Sequence, residues 1–168
     1  MGSNPTSSAM NTEYEAAMRV ALDHAELAVS SGDVPVGAVV LHKNEIIAAR
    51  HNEREVLNDP TAHAEVLALR DAAAVLGTWH LDECTLVVTL EPCIMCAGAV
   101  INSRIQTLVF GAADLKGGGM GSLYNIGVDP RLNHTVNIFQ GVLGIEASIQ
   151  LKLFFEQMRN ESKNKYWS

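Results

Sequence analysis

The chain is poor in several things that a fold or a function can be built on. Cysteine occurs three times in 168 residues. That is too few for a disulfide scaffold, and the odd number leaves one thiol over in any pairing scheme. No apolar run approaches the roughly 20 residues that cross a bilayer; the longest spans residues 34–41. Residues 1–10 are small and polar and lack the basic start and apolar middle of a signal peptide, so a tail outside the fold is expected there. Positive charge is also scarce: 12 Lys and Arg stand against 19 Asp and Glu, a net charge of −7. This speaks against a generic nucleic-acid coat protein but leaves room for a local basic surface. Repeats and low-complexity tracts are lacking. Hydrophobic residues, at 48 %, suffice for the core of one ordinary domain. That domain is expected over residues 11–160, with 161–168 as a second tail. A cytoplasmic enzyme without membrane contact is the expectation.

Local signals divide the chain into alternating helices and strands. Thr12 and Glu15 have capping-box spacing, so a helix is expected from there to the Ser31–Gly32 stop. Residues 36–41 and 45–50 read as strands joined by a turn at Lys43–Asn44. A polar loop over 51–58 follows, then Asp59–Pro60 as the cap and first residue of a helix running to about Leu76. Residues 85–90 are apolar at nearly every position, as in a strand buried on both faces. Pro92 opens a helix to about Asn102, and 106–111 is a fourth strand. A Gly-rich loop over 114–133, a strand at 135–140 and a helix at 145–159 complete the order. Such alternation implies a three-layer α/β/α sandwich, with helices on both faces of a five-stranded sheet that the hairpin makes mixed.

Two short segments carry chemistry. Cys93 and Cys96 are three apart at a helix start. They share one face, and the free N–H groups and positive dipole end there favour thiolate. Two such thiolates can hold one Zn²⁺ at about 2.3 Å each. His63, also at a helix start, is the candidate third ligand. No second Cys-x-x-Cys or His-x₃-His exists to close the shell, and an open position is the mark of a catalytic site rather than a structural one. Glu65 supplies a carboxylate beside the metal that can carry a proton between water and substrate. One geometric conflict stands: residues i and i+2 on a helix lie about 200° apart. His63 and Glu65 converge only if metal and substrate lie beyond the helix end.

His63-Ala64-Glu65 followed by Pro92-Cys93-Ile94-Met95-Cys96 is the known signature of zinc deaminases acting on nucleobases. The resemblance extends further. The runs 34–40, 58–66, 88–98 and 103–105 are similar to the bacterial tRNA-specific adenosine deaminases, as are Asn133–His134, 141–143 and Phe154–Phe155, over nearly all of 13–159. It implies a cytidine deaminase-like fold, one zinc per subunit and a homodimer. It also implies hydrolysis of the wobble adenosine of a tRNA anticodon stem-loop to inosine: a zinc-bound hydroxide attacks C6 while Glu65 serves N1 and then the leaving amine. By the same likeness Asn52, Asp114 and Lys116 contact the anticodon loop, Asn133 contacts a flanking nucleotide, and DNA is not an expected partner.

Blander readings compete with these. The Cys pair could be a redox motif, but His63-Ala-Glu65 makes that remote. Cys84, opening a strand, reads as core. Leu151, Phe154, Phe155 and Met158 recur at i, i+3, i+4, i+7, which more often marks core than an RNA platform, so core is expected for at least part of the stripe. The main rival function is deamination of a free nucleobase or nucleoside such as guanine, cytosine or cytidine, and the acidic net charge favours it. A second rival is a zinc module without activity, which Glu65 speaks against. An RNA substrate needs a local patch drawn from Arg50, Arg54, Arg104, Lys116, Arg131, Lys152, Arg159, Lys163 and Lys165.

Overall fold

The computed structural model describes the backbone of residues 7–167 and the side chains of residues 12–166. A five-stranded sheet of order β2-β1-β3-β4-β5 forms the middle layer. The strands β1 (Gly37–His42) and β2 (Glu45–His51) form an antiparallel hairpin. Its turn has positive φ at both Lys43 (51°) and Asn44 (64°), the geometry that matches the twist of paired strands. β1 also runs antiparallel to β3 (Cys84–Leu90), whereas β4 (Thr107–Ala112) and β5 (Asn137–Gln140) continue parallel to it. The mixed five-stranded sandwich expected of the sequence is therefore the observed fold.

Strand alternation builds two cores. Val39, Val87 and Val109 lie side by side across three strands. They pack with Ala17, Met18 and Ala21 of α1 (Ser7–Val29). The alternate positions Ala38, Val40, Leu86, Val88, Leu108 and Phe110 face the other way. They meet Ala64, Ala68, Leu69 and Ala72 of α3 (Ala64–Leu76) and Ala97, Val100 and Ile101 of α4 (Ile94–Asn102). Helix α5 (Gly144–Trp167) lies beside α1, where Gln150 donates to the Leu22 carbonyl at 3.1 Å. Cys84 is fully buried in the core, as expected.

Element ends differ from the sequence expectations in instructive ways. Helix α1 is already formed at Ser7, so Thr12 lies inside it rather than at its cap, and only positions 1–6 of the expected tail lie outside the described residues. Residues 161–167 of the expected C-terminal tail are helical: α5 continues to Trp167, eight residues past the expected helix end at Arg159. The polar loop after β2 contains a one-turn helix, α2 (Arg54–Leu57). Asp59 caps nothing helical; its Oδ1 accepts from the Thr61 amide and hydroxyl, and α3 starts only after His63. Likewise α4 starts after Cys93 rather than at Pro92. Of the apolar stripe 151–158, only Phe154 is core; Phe155 and Met158 are exposed.

Gly37 shows how closely the layers meet. A Cβ there would sit 1.8 Å from the Ala21 carbonyl oxygen of α1. Gly37→Ala should therefore cost about 1–3 kcal/mol or more, as overpacked cores do. Urea unfolding measures this, and metal binding on the opposite face of the sheet should be unchanged in the folded fraction.

Candidate active site and metal centre

The site forms where β3 and β4 end, which is where parallel strands leave a crevice for ligands. Leu90 closes β3 and leads through Glu91 and Pro92 into Cys93, the N-cap of α4 (φ −67°, ψ 175°). His63 is the N-cap of α3, also extended (φ −75°, ψ 147°). This resolves the geometric conflict of i and i+2. His63 lies outside the helical turn, so its ring and the Glu65 side chain are not bound to the 100° step and both line one pocket.

His63 Nδ1 lies 3.8 Å from Cys93 Sγ and 3.5 Å from Cys96 Sγ, and the three donor atoms all fall within 4.8 Å of one another. With zinc bonds of about 2.0–2.3 Å, a tetrahedral site has donor separations of roughly 3.6 Å. The donor set fits zinc in chemistry and spacing, and it leaves one coordination position for a non-protein ligand.

Electrostatics agree with this assignment. Cys93 is held as a thiolate, with a pKa of about 3. The hydrogen bond from Cys96 contributes most; burial opposes it, and His63 and the Cys96 amide add to the lowering. Cys96 is pushed the other way, far above the ordinary thiol value, by its hydrogen bond with Cys93 and by burial. A divalent cation bound by both sulfurs would favour the thiolate form of each and release any remaining thiol proton. His63 is raised by its hydrogen bond with Cys93, against burial. Glu65 is 3 % exposed, and burial pushes its pKa to about 7, against its own backbone amide and His63. Its Oε2 has no hydrogen-bond partner. A carboxyl poised near neutrality with one oxygen unmet suits a group that takes and returns a proton.

The pocket has a volume of 130 Å³ and is lined by Val34, Val36, Asn52, Arg54, His63, Glu65, Leu90, Glu91, Cys93 and Asp114. Drug-sized ligands occupy roughly 300–1,000 Å³, so only a group the size of one base enters. Of the residues singled out from sequence, His63, Glu65, Cys93, Asn52 and Asp114 meet on these walls, and Cys96 completes the donor set. Asn52 is committed to the scaffold: its Oδ1 accepts from the Ala64 amide at 2.9 Å and its Nδ2 donates to the Val34 carbonyl at 3.1 Å. It thereby ties β2 to the start of α3 and sets the position of His63. The Asp114 Oδ1 accepts from the amides of Lys116 and Gly117. Lys116 lies in an adjoining 560 Å³ groove with Leu151, Lys152, Phe155 and Arg159, and that groove shares Val34, Leu90 and Asp114 with the pocket. Asn133 stands outside both, where its Oδ1 accepts from Arg104 at 2.8 Å. His134 is structural, its Nε2 2.6 Å from the Ile105 carbonyl.

Two carboxylates went unread in the sequence. Glu91, 1 % exposed, accepts from the amides of Asp114, Met120 and Ser122 and from the Ser122 hydroxyl. It pins the Gly-rich loop over the site, and Gly118 lacks a side chain because a Cβ would lie 2.3 Å from the Glu91 carboxyl carbon. Its signal was a charged residue between a largely apolar strand and Pro92. Asp33, also 1 % exposed, holds Arg54 on the pocket wall. Burial alone would raise the Asp33 pKa; Arg54 and the Glu55 and Val34 amides outweigh it and hold the carboxyl below its ordinary 3.8.

A His-Cys-Cys metal centre, a buried glutamate in a base-sized pocket and an α/β/α sandwich define a hydrolytic zinc-type deaminase. Comparison with known proteins narrows the class. The MafB19-like deaminase family matches residues 12–157. A tRNA-specific adenosine deaminase of Bacillus subtilis (strain 168) is 46 % identical over 152 residues, covering 90 % of this chain and 94 % of that protein. Among solved structures, one from a study of A-to-I editing by tRNA:A34 deaminases is 39 % identical with a TM-score of 0.77, covering 80 % of this chain and 97 % of that one. A guanine deaminase from Nitrosomonas europaea is more distant, at 28 % identity and TM-score 0.69 with 83 % of each chain covered. The chain belongs to the MafB19-like deaminases, and within them to the family of the tRNA-specific adenosine deaminases.

Removing one donor should empty the centre: Cys96→Ala is expected to purify with little zinc by atomic absorption. Chelation should lower the melting temperature of the parent protein but not of this variant, because only a native-state ligand stabilises. Asp33 gives a pH prediction with a definite sign. A depressed carboxyl contributes stability that is complete above its ordinary 3.8 and is lost as pH falls below it. Urea midpoints of the parent and Asp33→Asn should differ at neutral pH and converge in acid.

Proposed function

We propose that this protein converts the wobble adenosine of a tRNA anticodon loop to inosine. The observation that carries the reading is a base-sized pocket, walled by the metal donors and Glu65, that opens into a cationic groove carrying an aromatic ring. Lys116, Lys152 and Arg159 gather there beside Phe155, rather than scattering over an acidic surface. Cations that track a backbone and a ring on which a base can stack are the elements of single-strand recognition. The close relatives share the reading by name.

Zinc held by His63, Cys93 and Cys96 supplies Lewis-acid activation of water. Glu65 accepts one water proton and delivers it to adenine N1, then takes the second from the oxygen now bound to C6 and passes it to the departing amino group. The water oxygen bonds to C6, the C6–N bond breaks, and ammonia leaves. The pocket excludes the rest of the substrate, and an unpaired loop base enters without the cost of opening a duplex. Asp114 and Lys116 contact the loop backbone and sugars, Asn52 meets the nucleotide with the second N–H of its amide, and Asn133 contacts a flanking nucleotide.

The working form in this reading is a cytoplasmic homodimer with one zinc per subunit. The exposed apolar side chains Ile94, Leu123 and Tyr124 support the dimer. The Leu123 and Tyr124 amides both donate to the Gly118 carbonyl, and Gly118 pairs with Cys93 at the start of α4.

Single-turnover conversion of an anticodon stem-loop tests the activity. Glu65→Ala should lose about 10²–10⁴-fold in rate while keeping its zinc. Activity on free guanine or cytidine with none on the stem-loop would overturn the reading. Stem-loop affinity should also fall steeply as salt rises; a flat response removes the cationic groove from the argument.

A further inference from the structure

Arg54 is the one arginine or lysine on the pocket wall. Its guanidinium is used on one edge only. The Asp33 Oδ1 accepts from Nε at 3.0 Å and from Nη2 at 2.8 Å. The same carboxylate also accepts from the Val34 amide at 2.9 Å and the Glu55 amide at 3.1 Å. Asp33 is therefore saturated and buried, whereas the Arg54 side chain is 36 % exposed and its Nη1 has no partner among the described residues. The other arginines with bonded side chains are engaged elsewhere: Arg50 with Glu53 and Asp71, Arg104 with Asn133, and Arg131 with Asp129. A planar fork fixed along one edge presents its remaining N–H groups in a set direction, which is the arrangement that recognises phosphate.

The size of the pocket says what those groups meet. A volume of 130 Å³ admits the base, so the ribose and both flanking phosphates stay at the mouth. The mouth is otherwise hostile to an anion, since Glu65, Glu91 and Asp114 line the same walls. We propose that Arg54, oriented by Asp33, binds a phosphate adjoining the reacting nucleotide and thereby selects a nucleotide within a strand over a free base. The inference rests on the deaminase reading above and extends it to the residue that sets substrate class. Arg54 is the substrate-contacting group; Asp33 is a positioning residue that acts through it.

The test has to separate this role from that of a purely structural ion pair. Arg54→Met alone would leave Asp33 buried and unpaired, so the informative variant is Arg54→Met with Asp33→Asn, accompanied by Arg54→Lys, which keeps the charge and loses the fork. Binding is measured by anisotropy with three anticodon stem-loops: unmodified, and carrying a neutral methylphosphonate on the 5′ or the 3′ side of the reacting adenosine. Zinc content and melting temperature are followed throughout. The parent protein should lose about tenfold or more in affinity for one of the two methylphosphonate loops. The double variant should show that loss on the unmodified loop and no further loss on the neutralised one, with its salt slope lower by about one. Arg54→Lys should fall between. Equal methylphosphonate penalties in the parent and the double variant, or no penalty in the parent, overturn the proposal. Failure of the parent protein to make inosine from the unmodified loop would instead refute the deaminase reading, so the two results are distinguishable.

Discussion

A nitrogen on one helix start stands 3.5 and 3.8 Å from two sulfurs on another, and the rest of the site depends on that meeting. Neither helix brings its donor there alone. Cys93 and His63 are both N-caps, extended residues whose side chains project beyond the first helical turn. Their separation is set by the sheet, because α3 and α4 lie on the same face and share one apolar core. Asn52 fixes the start of α3 by bonding both the Ala64 amide and the Val34 carbonyl. Beside α4, the isolated bridge between Cys93 and Gly118 and the Gly119 amide bond to Pro92 hold the loop down.

Three carboxylates are almost fully buried in this small chain, and their contrasting surroundings explain the distribution of roles. Glu91 is saturated by loop amides and a hydroxyl, so it serves as a fixed post under the Gly-rich loop. Asp33 is saturated by two amides and a guanidinium, so it holds a cation in place. Glu65 keeps one oxygen without a partner, and burial raises its pKa to about 7. An unsatisfied buried oxygen costs stability. At a site walled by metal donors that cost is consistent with proton transfer rather than with packing.

The acidic net charge and the proposed RNA substrate are reconciled by placement. Arg50 and Arg131 are neutralised locally by Glu53, Asp71 and Asp129 and contribute little field of their own. Lys116, Lys152 and Arg159 share one groove that adjoins the base pocket. Phe155 lies exposed there because α5 turns its buried side, Phe154, toward the sheet. The helical stripe that looked like core from its spacing is thus divided between the interior and the groove.

The residues themselves announced the chemistry. A Cys-x-x-Cys, a histidine and a glutamate, with no second Cys-x-x-Cys or His-x₃-His to close the shell, point to an open metal centre from composition and spacing. The alternation of apolar strands and helices was equally plain, since periods of two and of about 3.6 are local properties. Helix starts lie later than the local signals put them, by four residues for α3, expected at Pro60 and starting at Ala64, and by two for α4, expected at Pro92 and starting at Ile94. Only tertiary contacts decide such boundaries, here the Asn52 bond to Ala64 and the close fit of the loop against Cys93. The roles of Glu91 and Asp33 are not local for the same reason, because all their partners except the Val34 amide lie 21–31 residues away. The sequence by itself determined which atoms could bind a metal and move a proton. The tertiary structure decided that His63 and Glu65 reach one pocket, that this pocket admits a single base, and that Arg54 stands at its wall, because each is a matter of distance between segments that no local pattern encodes.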